Sequence, residues 1–248
     1  MKKMLCRRGG MPYNRVVMKS NGGRAMRVND RHLSFYYEND DDLGRIEIDR
    51  AKTALLIVDM QHVFITRPDY MDARERARWE PFYRAIDERV VPNNVRLLNA
   101  FRELSMDVCF ARIQGQKRDG RDRSLDQKAT GYNELLLPPG DPRAEIVPAL
   151  APLPDEIVVT KTTDNVIAGT PLRLWLRNMG IDTVVVTGVL TDQCVSGTVR
   201  GLADESFKVW LIEDASMAAT QRLHDNELEI LNNIYCHVVT TDELLAAL

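Results

Sequence analysis

No stretch of this 248-residue chain approaches the ~18 consecutive apolar residues that a membrane-spanning helix needs, and no membrane partner is expected. Cysteine is sparse. Cys6, Cys109, Cys194 and Cys236 are far apart and form no C-x-x-C pair, which argues against a disulfide framework or a thiolate zinc site and fits a reducing, cytoplasmic setting. The sequence also lacks G-x-G-x-x-G, G-x-x-x-x-G-K-[ST] and G-x-S-x-G. Dinucleotide binding, P-loop phosphate binding and a serine nucleophile elbow therefore have no support. There is no internal repeat and no low-complexity segment.

Net charge is also nearly lacking, with 33 Lys and Arg against 36 Asp and Glu, or −3. That balance conceals an asymmetry. Residues 1–27 hold eight basic side chains and no acidic one, leaving 25 basic against 36 acidic thereafter. An acidic body lacks the basic face of a nucleic-acid-binding domain, so no nucleic-acid partner is expected. A chain 44% hydrophobic and 28% charged is not disordered. The basic segment has no apolar centre of a secretory signal and little resemblance to a transit peptide. It carries five of the ten methionines. Two expectations stand for residues 1–27: a disordered basic arm, or an upstream start codon ahead of a true start near Met26. Residues 28–248 are expected to form one domain, whose polar stretch 28–50 wraps the surface or an oligomer partner.

What is present is a regular alternation. The runs 54–58, 108–111, 157–159, 183–186, 209–212 and 238–239 are rich in Val, Ile and Leu, several apolar on both faces as a covered parallel sheet requires. Between them lie amphipathic segments. Thr170 and Pro171 predict a helix start, Leu172, Trp175, Leu176 and Met179 its apolar stripe, and Gly180 its stop. Leu228, Leu231 and Tyr235 predict a later helix, and 241–248 a short last one. The pattern predicts an α/β fold, a doubly wound, Rossmann-like, mostly parallel six-stranded sheet with helices on both faces. Two non-periodic stretches remain, 113–130 and the proline-rich 137–154; long loops of this kind are often functional.

Three reactive residues stand where strands end. Asp59 follows ALLIV, Lys161 follows IVVT, and Cys194 follows TVVVTGVLTDQ at the start of an expected helix over 192–203. A charge interrupting an apolar run is costly to bury unless it meets its opposite. A helix N-terminus and a nearby lysine lower a thiol pKa. Together the three describe an activated nucleophile with a carboxylate to move its proton.

The segments LLIVDMQHVF, VVTKTTDNVIAGTPLRLWLRNMGIDTVVVTGVLTDQCVSGTV and HVVTTDELL resemble the isochorismatase-like cysteine hydrolase superfamily from about residue 52 to 244. That group includes N-carbamoylsarcosine and ureidoacrylate amidohydrolases, nicotinamidases, and biuret and triuret hydrolases. The resemblance implies a catalytic triad of Asp59, Lys161 and Cys194, and an oxyanion hole from the backbone amides of Leu190 and Cys194, with a cis peptide between Val189 and Leu190. It also implies a homotetramer. Nicotinamidases bind a metal through Asp and His; here His62 stands near Asp59, but 112–130 contains no His, and His32, His62, His224 and His237 show no ligand spacing. No metal or other cofactor is expected, with His62 and His224 read as structural.

The general character of the chain is most similar to the biuret and triuret hydrolase branch. The expected reaction is hydrolysis of a C–N bond in a small linear ureide, with release of ammonia through a covalent cysteine intermediate. Gln221, able to donate and accept, would read a –CO–NH– unit. Phe64, Gln61, Asn165, Gln114, Gln116 and Lys117 are further candidates for pocket walls. The alternative is an N-carbamoyl-amino-acid or ureidoacrylate-type amidohydrolase, which would need Arg222 or Lys117 to hold a carboxylate. A non-catalytic binding module is argued against by the intact Asp59, Lys161 and Cys194.

Overall fold

The computed structural model describes residues 26–27, 31–38, 45–46, 48–131 and 134–248. The basic segment before Met26 lies outside the described residues. All six expected strands form: β1 Thr53–Val58, β2 Asp107–Ile113, β3 Ile157–Lys161, β4 Thr183–Val189, β5 Lys208–Met217 and β6 His237–Val239. Every pairing within this sheet is parallel, and the order across it is β3-β2-β1-β4-β5-β6; Met26–Arg27 and Arg45–Ile46 form a separate antiparallel pair. Their β-branched side chains suit a pleated surface covered on both sides, and the two central strands, β1 and β4, are buried along their whole length.

The alternation of side chains along β1 divides the core. Leu55 and Ile57 face one layer with Phe82, Leu97, Phe101 and Leu244. Ala54, Leu56 and Val58 face the other with Leu172, Val199, Leu202 and Leu228. The first layer comes from α2 (Ala73–Ala85), α3 (Val91–Glu103) and α7 (Thr241–Ala247), the second from α4 (Leu172–Asn178), α5 (Ser196–Asp204) and α6 (Gln221–Leu231). The remaining α-helix among the described residues, α1 (His62–Ile65), is a single turn. Each fully buried Leu, Ile or Phe contributes ~1.5–3 kcal/mol, so helices on both faces are required to cover this sheet. Between α3 and the sheet the buried Asn94 is fully used: its Nδ2 donates to the Val90 and Ala215 carbonyls, both at 2.8 Å, and its Oδ1 accepts from Thr187 Oγ1 at 2.6 Å.

Several boundaries differ from expectation. Helix α4 starts at Leu172, with Pro171 as the cap residue and Thr170 Oγ1 accepting from the Leu172 amide at 3.3 Å. A two-turn helix presents one narrow stripe to the sheet, so Leu172 and Leu176 are buried while Trp175 and Met179 stay partly exposed. Tyr235 lies beyond the end of α6 and takes Arg200 over its ring. Strand β5 continues through Glu213, Asp214 and Ser216, because Asp214 Oδ1 accepts from both the backbone and hydroxyl of Thr241. Residues 31–38 lie on the surface against this region, with Arg31 and His32 paired to Glu213.

Candidate active site

β1 has β2 on one side and β4 on the other, so the strand order reverses between β1 and β4, and a crevice opens outside their carboxyl ends. Asp59 immediately follows β1. Cys194 lies in a π-helical turn, Thr191–Val195, that leads into α5, and Lys161 is the last residue of β3. The backbone turns sharply to place them. Asp59 adopts a left-handed conformation, φ 52°, which Asp tolerates better than most residues. There its N–H donates to the Ala111 carbonyl at 2.9 Å and its own carbonyl accepts from Gln61 at 2.7 Å. Gly188 has φ 115°, and a Cβ at this position would lie 2.0 Å from the Val58 carbonyl oxygen. Only glycine allows β4 to press this closely on the residue before Asp59. The next peptide bond but one, Val189–Leu190, is cis.

Lys161 joins the three residues. Its Nζ donates to Asp59 Oδ2 at 2.8 Å and to the Thr163 carbonyl at 3.0 Å, and lies 3.4 Å from Cys194 Sγ. The Lys161 and Asp59 side chains are 0% and 1% exposed, a burial tolerated because opposite charges meet with good geometry. The thiol also points a hydrogen bond, at 3.8 Å, to Oδ1 of Asp164. Asp164 has no sequence signal beyond standing three residues after Lys161, and its place in the site comes from the fold.

Burial pushes the Asp59 carboxyl above its ordinary range, against the pull of the Lys161 ammonium and of hydrogen bonding from Cys194 and Lys161. Oδ1 of Asp59 has no hydrogen-bond partner among the described residues. Burial acts to lower the Lys161 pKa, but Asp59 and Cys194 outweigh it and hold the ammonium above its usual value. For Cys194, burial and then the Asp59 charge drive the thiol pKa well up, with Lys161 opposing. This corrects the expectation of a thiol activated at rest by a helix N-terminus: desolvation and two carboxylates outweigh one ammonium, and the resting sulfur carries its proton.

The Isochorismatase domain model matches residues 53–243. The chain belongs to the isochorismatase family of hydrolases. Among solved structures, a cysteine hydrolase from Pseudomonas syringae pv. phaseolicola 1448A superposes with a TM-score of 0.71 at 25% identity, covering 84% of this chain and 97% of that one. A ureidoacrylate amidohydrolase, RutB, of Methylorubrum extorquens is 28% identical over 82% of this chain and 85% of its own length. A probable inactive nicotinamidase of Arabidopsis thaliana is 28% identical over 77% of this chain and 93% of its own.

The other anticipated residues of this isochorismatase-family site take varied positions. Gln61 is fully buried and wholly occupied: Nε2 donates to the Ile113 and Ala144 carbonyls, and Oε1 accepts from the Ile113 amide. It fastens the ends of β1 and β2 to the proline-rich loop and has nothing left for a ligand. Asn165 folds onto its own loop, its Oδ1 accepting from the Ile167 amide, and its side chain packs on Gly197 and Gly201 of α5. Gln221 is exposed at the start of α6 and donates to Asp225 at 2.7 Å. Lys117 and Gln116 lie in an exposed turn whose amides Asp122 collects. Phe64 is half-buried and packs against both core layers. Gln114 is tied to the triad through its backbone, its N–H donating to the Lys161 carbonyl at 3.2 Å.

The histidines do not converge with other donors, and no group of three His, Cys, Asp or Glu side chains suited to a metal occurs among the described residues. His62 Nδ1 pairs with Thr66 Oγ1 one turn away. His224 is buried, its Nδ1 is 2.8 Å from Thr191 Oγ1, and burial lowers its pKa to about 4. It braces the turn that carries Cys194.

Proposed function

We propose that this protein is a cysteine-dependent amidohydrolase that cleaves a C–N bond of a small linear ureide, triuret or biuret, and releases ammonia through a covalent Cys194 intermediate. The observation that carries the reading is the single Lys161 ammonium held between Asp59 Oδ2 and Cys194 Sγ in a buried cluster. Asp59 takes the proton of the resting thiol as Sγ attacks the carbonyl carbon. The carbonyl oxygen becomes an oxyanion beside the amides of Leu190 and Cys194; Cys194 stands in a first helical turn, where amides have no acceptor within the helix. Loss of one such donor typically costs roughly 100-fold or more in rate. The tetrahedral adduct collapses, the C–N bond breaks, and Asp59 passes its proton to the departing nitrogen. Water then adds to the thioester-like carbon with Asp59 as base, the C–S bond breaks, and the thiol recovers its proton. A carboxyl raised by burial suits a group that must both take and return a proton.

The intact triad supports activity over the inactive alternative. For substrate class, Lys117 sits in the exposed Asp122 turn and Arg222 is exposed on α6, which favours a neutral ureide. Similarity to RutB favours the second reading, a carboxylated ureido substrate of the ureidoacrylate type. Ammonia release measured with biuret, triuret, allophanate, N-carbamoyl amino acids, ureidoacrylate and nicotinamide separates them. Turnover of biuret or triuret, lost in Cys194→Ser without loss of fold, is the expected result. Turnover confined to carboxylated substrates overturns the ureide assignment, and an active Cys194→Ser overturns the covalent route. The same reading includes a cytoplasmic homotetramer and a basic N-terminal arm dispensable for activity.

A further inference from the structure

We propose that Asp164, Gln127 and Ser124 form a hydrogen-bond-accepting wall beside Cys194 that binds the N–H groups of a neutral substrate and turns anionic ones away. The proposal rests on Cys194 being the nucleophile and deepens that reading by assigning residues to substrate choice.

The wall is built by the non-periodic stretch 113–130 folding onto the segment that leaves β3. The Ser124 amide donates to the Thr162 carbonyl at 3.0 Å, which fixes the loop beside Lys161. One turn on, Gln127 is 4% exposed although it stands in a surface loop. Its Nε2 faces Asp164 Oδ1 at 3.5 Å, and the same Oδ1 is 3.8 Å from Cys194 Sγ. A carboxylate only accepts, so the Gln127 amide must present its nitrogen to Asp164. Its Oε1, on the same carbon, is then buried with no hydrogen-bond partner among the described residues, as is Ser124 Oγ. Buried acceptors without partners are rare in folded proteins unless something else supplies the hydrogen.

The loop is not free to turn them outward. Arg123 donates to the carbonyls of Gly120, Gln127 and Leu135 and locks the backbone on both sides of Gln127. The charge balance points the same way. Two carboxylates, Asp59 and Asp164, share the hydrogen-bonded cluster with one ammonium, Lys161. A substrate carboxylate would meet a second negative charge there, whereas the –NH2 and –NH– groups of a ureide supply the hydrogens that Gln127 Oε1 and Ser124 Oγ lack.

Iodoacetamide and iodoacetate test this without presupposing the substrate, because they have nearly the same shape and differ in carrying an amide or a carboxylate. Alkylation of Cys194 is followed by peptide mass on the full-length protein. The expected result is that iodoacetamide reacts much faster than iodoacetate, and that the ratio falls about tenfold or more in Asp164→Asn, the weight of one hydrogen bond to a charged group. Taking the ratio cancels any change in thiol reactivity common to both reagents. Gln127→Glu, which keeps shape and adds charge, should raise the ratio. In parallel, Asp164→Asn should raise KM for the turned-over ureide by about 10- to 100-fold while kcat changes by only a few-fold; a merely structural residue would lower kcat and thermal stability together. An unchanged ratio in both folded variants overturns the proposal, as does failure of iodoacetamide to alkylate Cys194 in the native protein. If the ratio shifts as expected but no ureide is hydrolysed, the wall stands and the ureide assignment falls.

Discussion

Replacing Lys161 with Met should destabilise the protein by about 3–5 kcal/mol, the range for leaving one member of a buried ion pair without its partner. The structure gives the reason. Lys161 and Asp59 are 0% and 1% exposed and 2.8 Å apart, so Met fills the lysine volume but leaves a carboxylate that water cannot reach. For a chain of this size, each kcal/mol moves Tm by about 2–4 °C, which predicts a fall of roughly 6–20 °C. The pH dependence follows from the same pair. Lys161 is the largest influence lowering the Asp59 pKa, which burial already holds above the ordinary 3.8; without the lysine it rises further. A carboxyl whose pKa is raised by folding favours the folded state below its unfolded value and loses that contribution as pH climbs through the folded one. The deficit of Lys161→Met against the native protein should therefore be small near pH 4 and widen toward pH 8. Asp59→Asn in the same chain removes the stranded charge and should recover most of the loss. Urea unfolding of the native protein and the two variants, at one protein concentration and several pH values, measures this directly. A Lys161→Met deficit below about 1 kcal/mol at pH 8, or one that does not change with pH, would refute the reasoning.

Gly188→Ala should cost more than about 4 kcal/mol or prevent folding altogether, because its Cβ would sit 2.0 Å from the Val58 carbonyl oxygen in the two central strands and φ is 115°; an alanine variant with native Tm would contradict it. His224 should contribute acid lability. Its folded pKa of about 4, below the ordinary 6.5, means the neutral ring's contribution is complete above 6.5 and is lost as pH falls through about 4, on the order of 3 kcal/mol in total. His224→Gln should flatten the native protein's loss of stability between pH 6.5 and 4, as read by chemical denaturation across that interval.

The sequence made legible what is encoded locally. A β-branched run of four or five residues can be read without knowing its neighbours, so all six strands and the parallel, doubly wound architecture follow from the pattern. Asp59, Lys161 and Cys194 are legible for a related reason: each marks the residue or turn where an apolar strand gives way, and a charge there stands out against its surroundings. The helical stretch from Ala73 to Glu103 gave a weaker signal, since Pro81 stands inside α2 and a π-helical turn joins it to α3, which disturbs the 3.6-residue period. Short-range patterning also could not say that Gln61, beside Asp59 in sequence, spends its whole side chain on the backbone of Ile113 and Ala144.

The residues hardest to read are those whose role depends on two segments meeting. Gln127 is one of several polar residues in a charged loop, and Asp164 is one of 36 acidic residues in the chain; neither has a partner within its own segment that would mark it. They become distinctive only when the Ser124 amide docks on Thr162 and brings the loop over the end of β3. The pKa direction at Cys194 shows the same dependence. From sequence, the helix start and Lys161 argue for a lowered thiol pKa, and both features are present in the fold. The outcome is reversed by burial and by Asp59 and Asp164, quantities that exist only once the strand ends are assembled. A thiol held protonated until a base removes its hydrogen is less open to adventitious oxidation than a standing thiolate. The same arrangement makes attack depend on Asp59, so that Asp59→Asn, which Asn's tolerance of left-handed backbone suits but which strands the buried Lys161 ammonium at a cost in stability, is expected to abolish turnover of the folded protein as completely as loss of the sulfur itself.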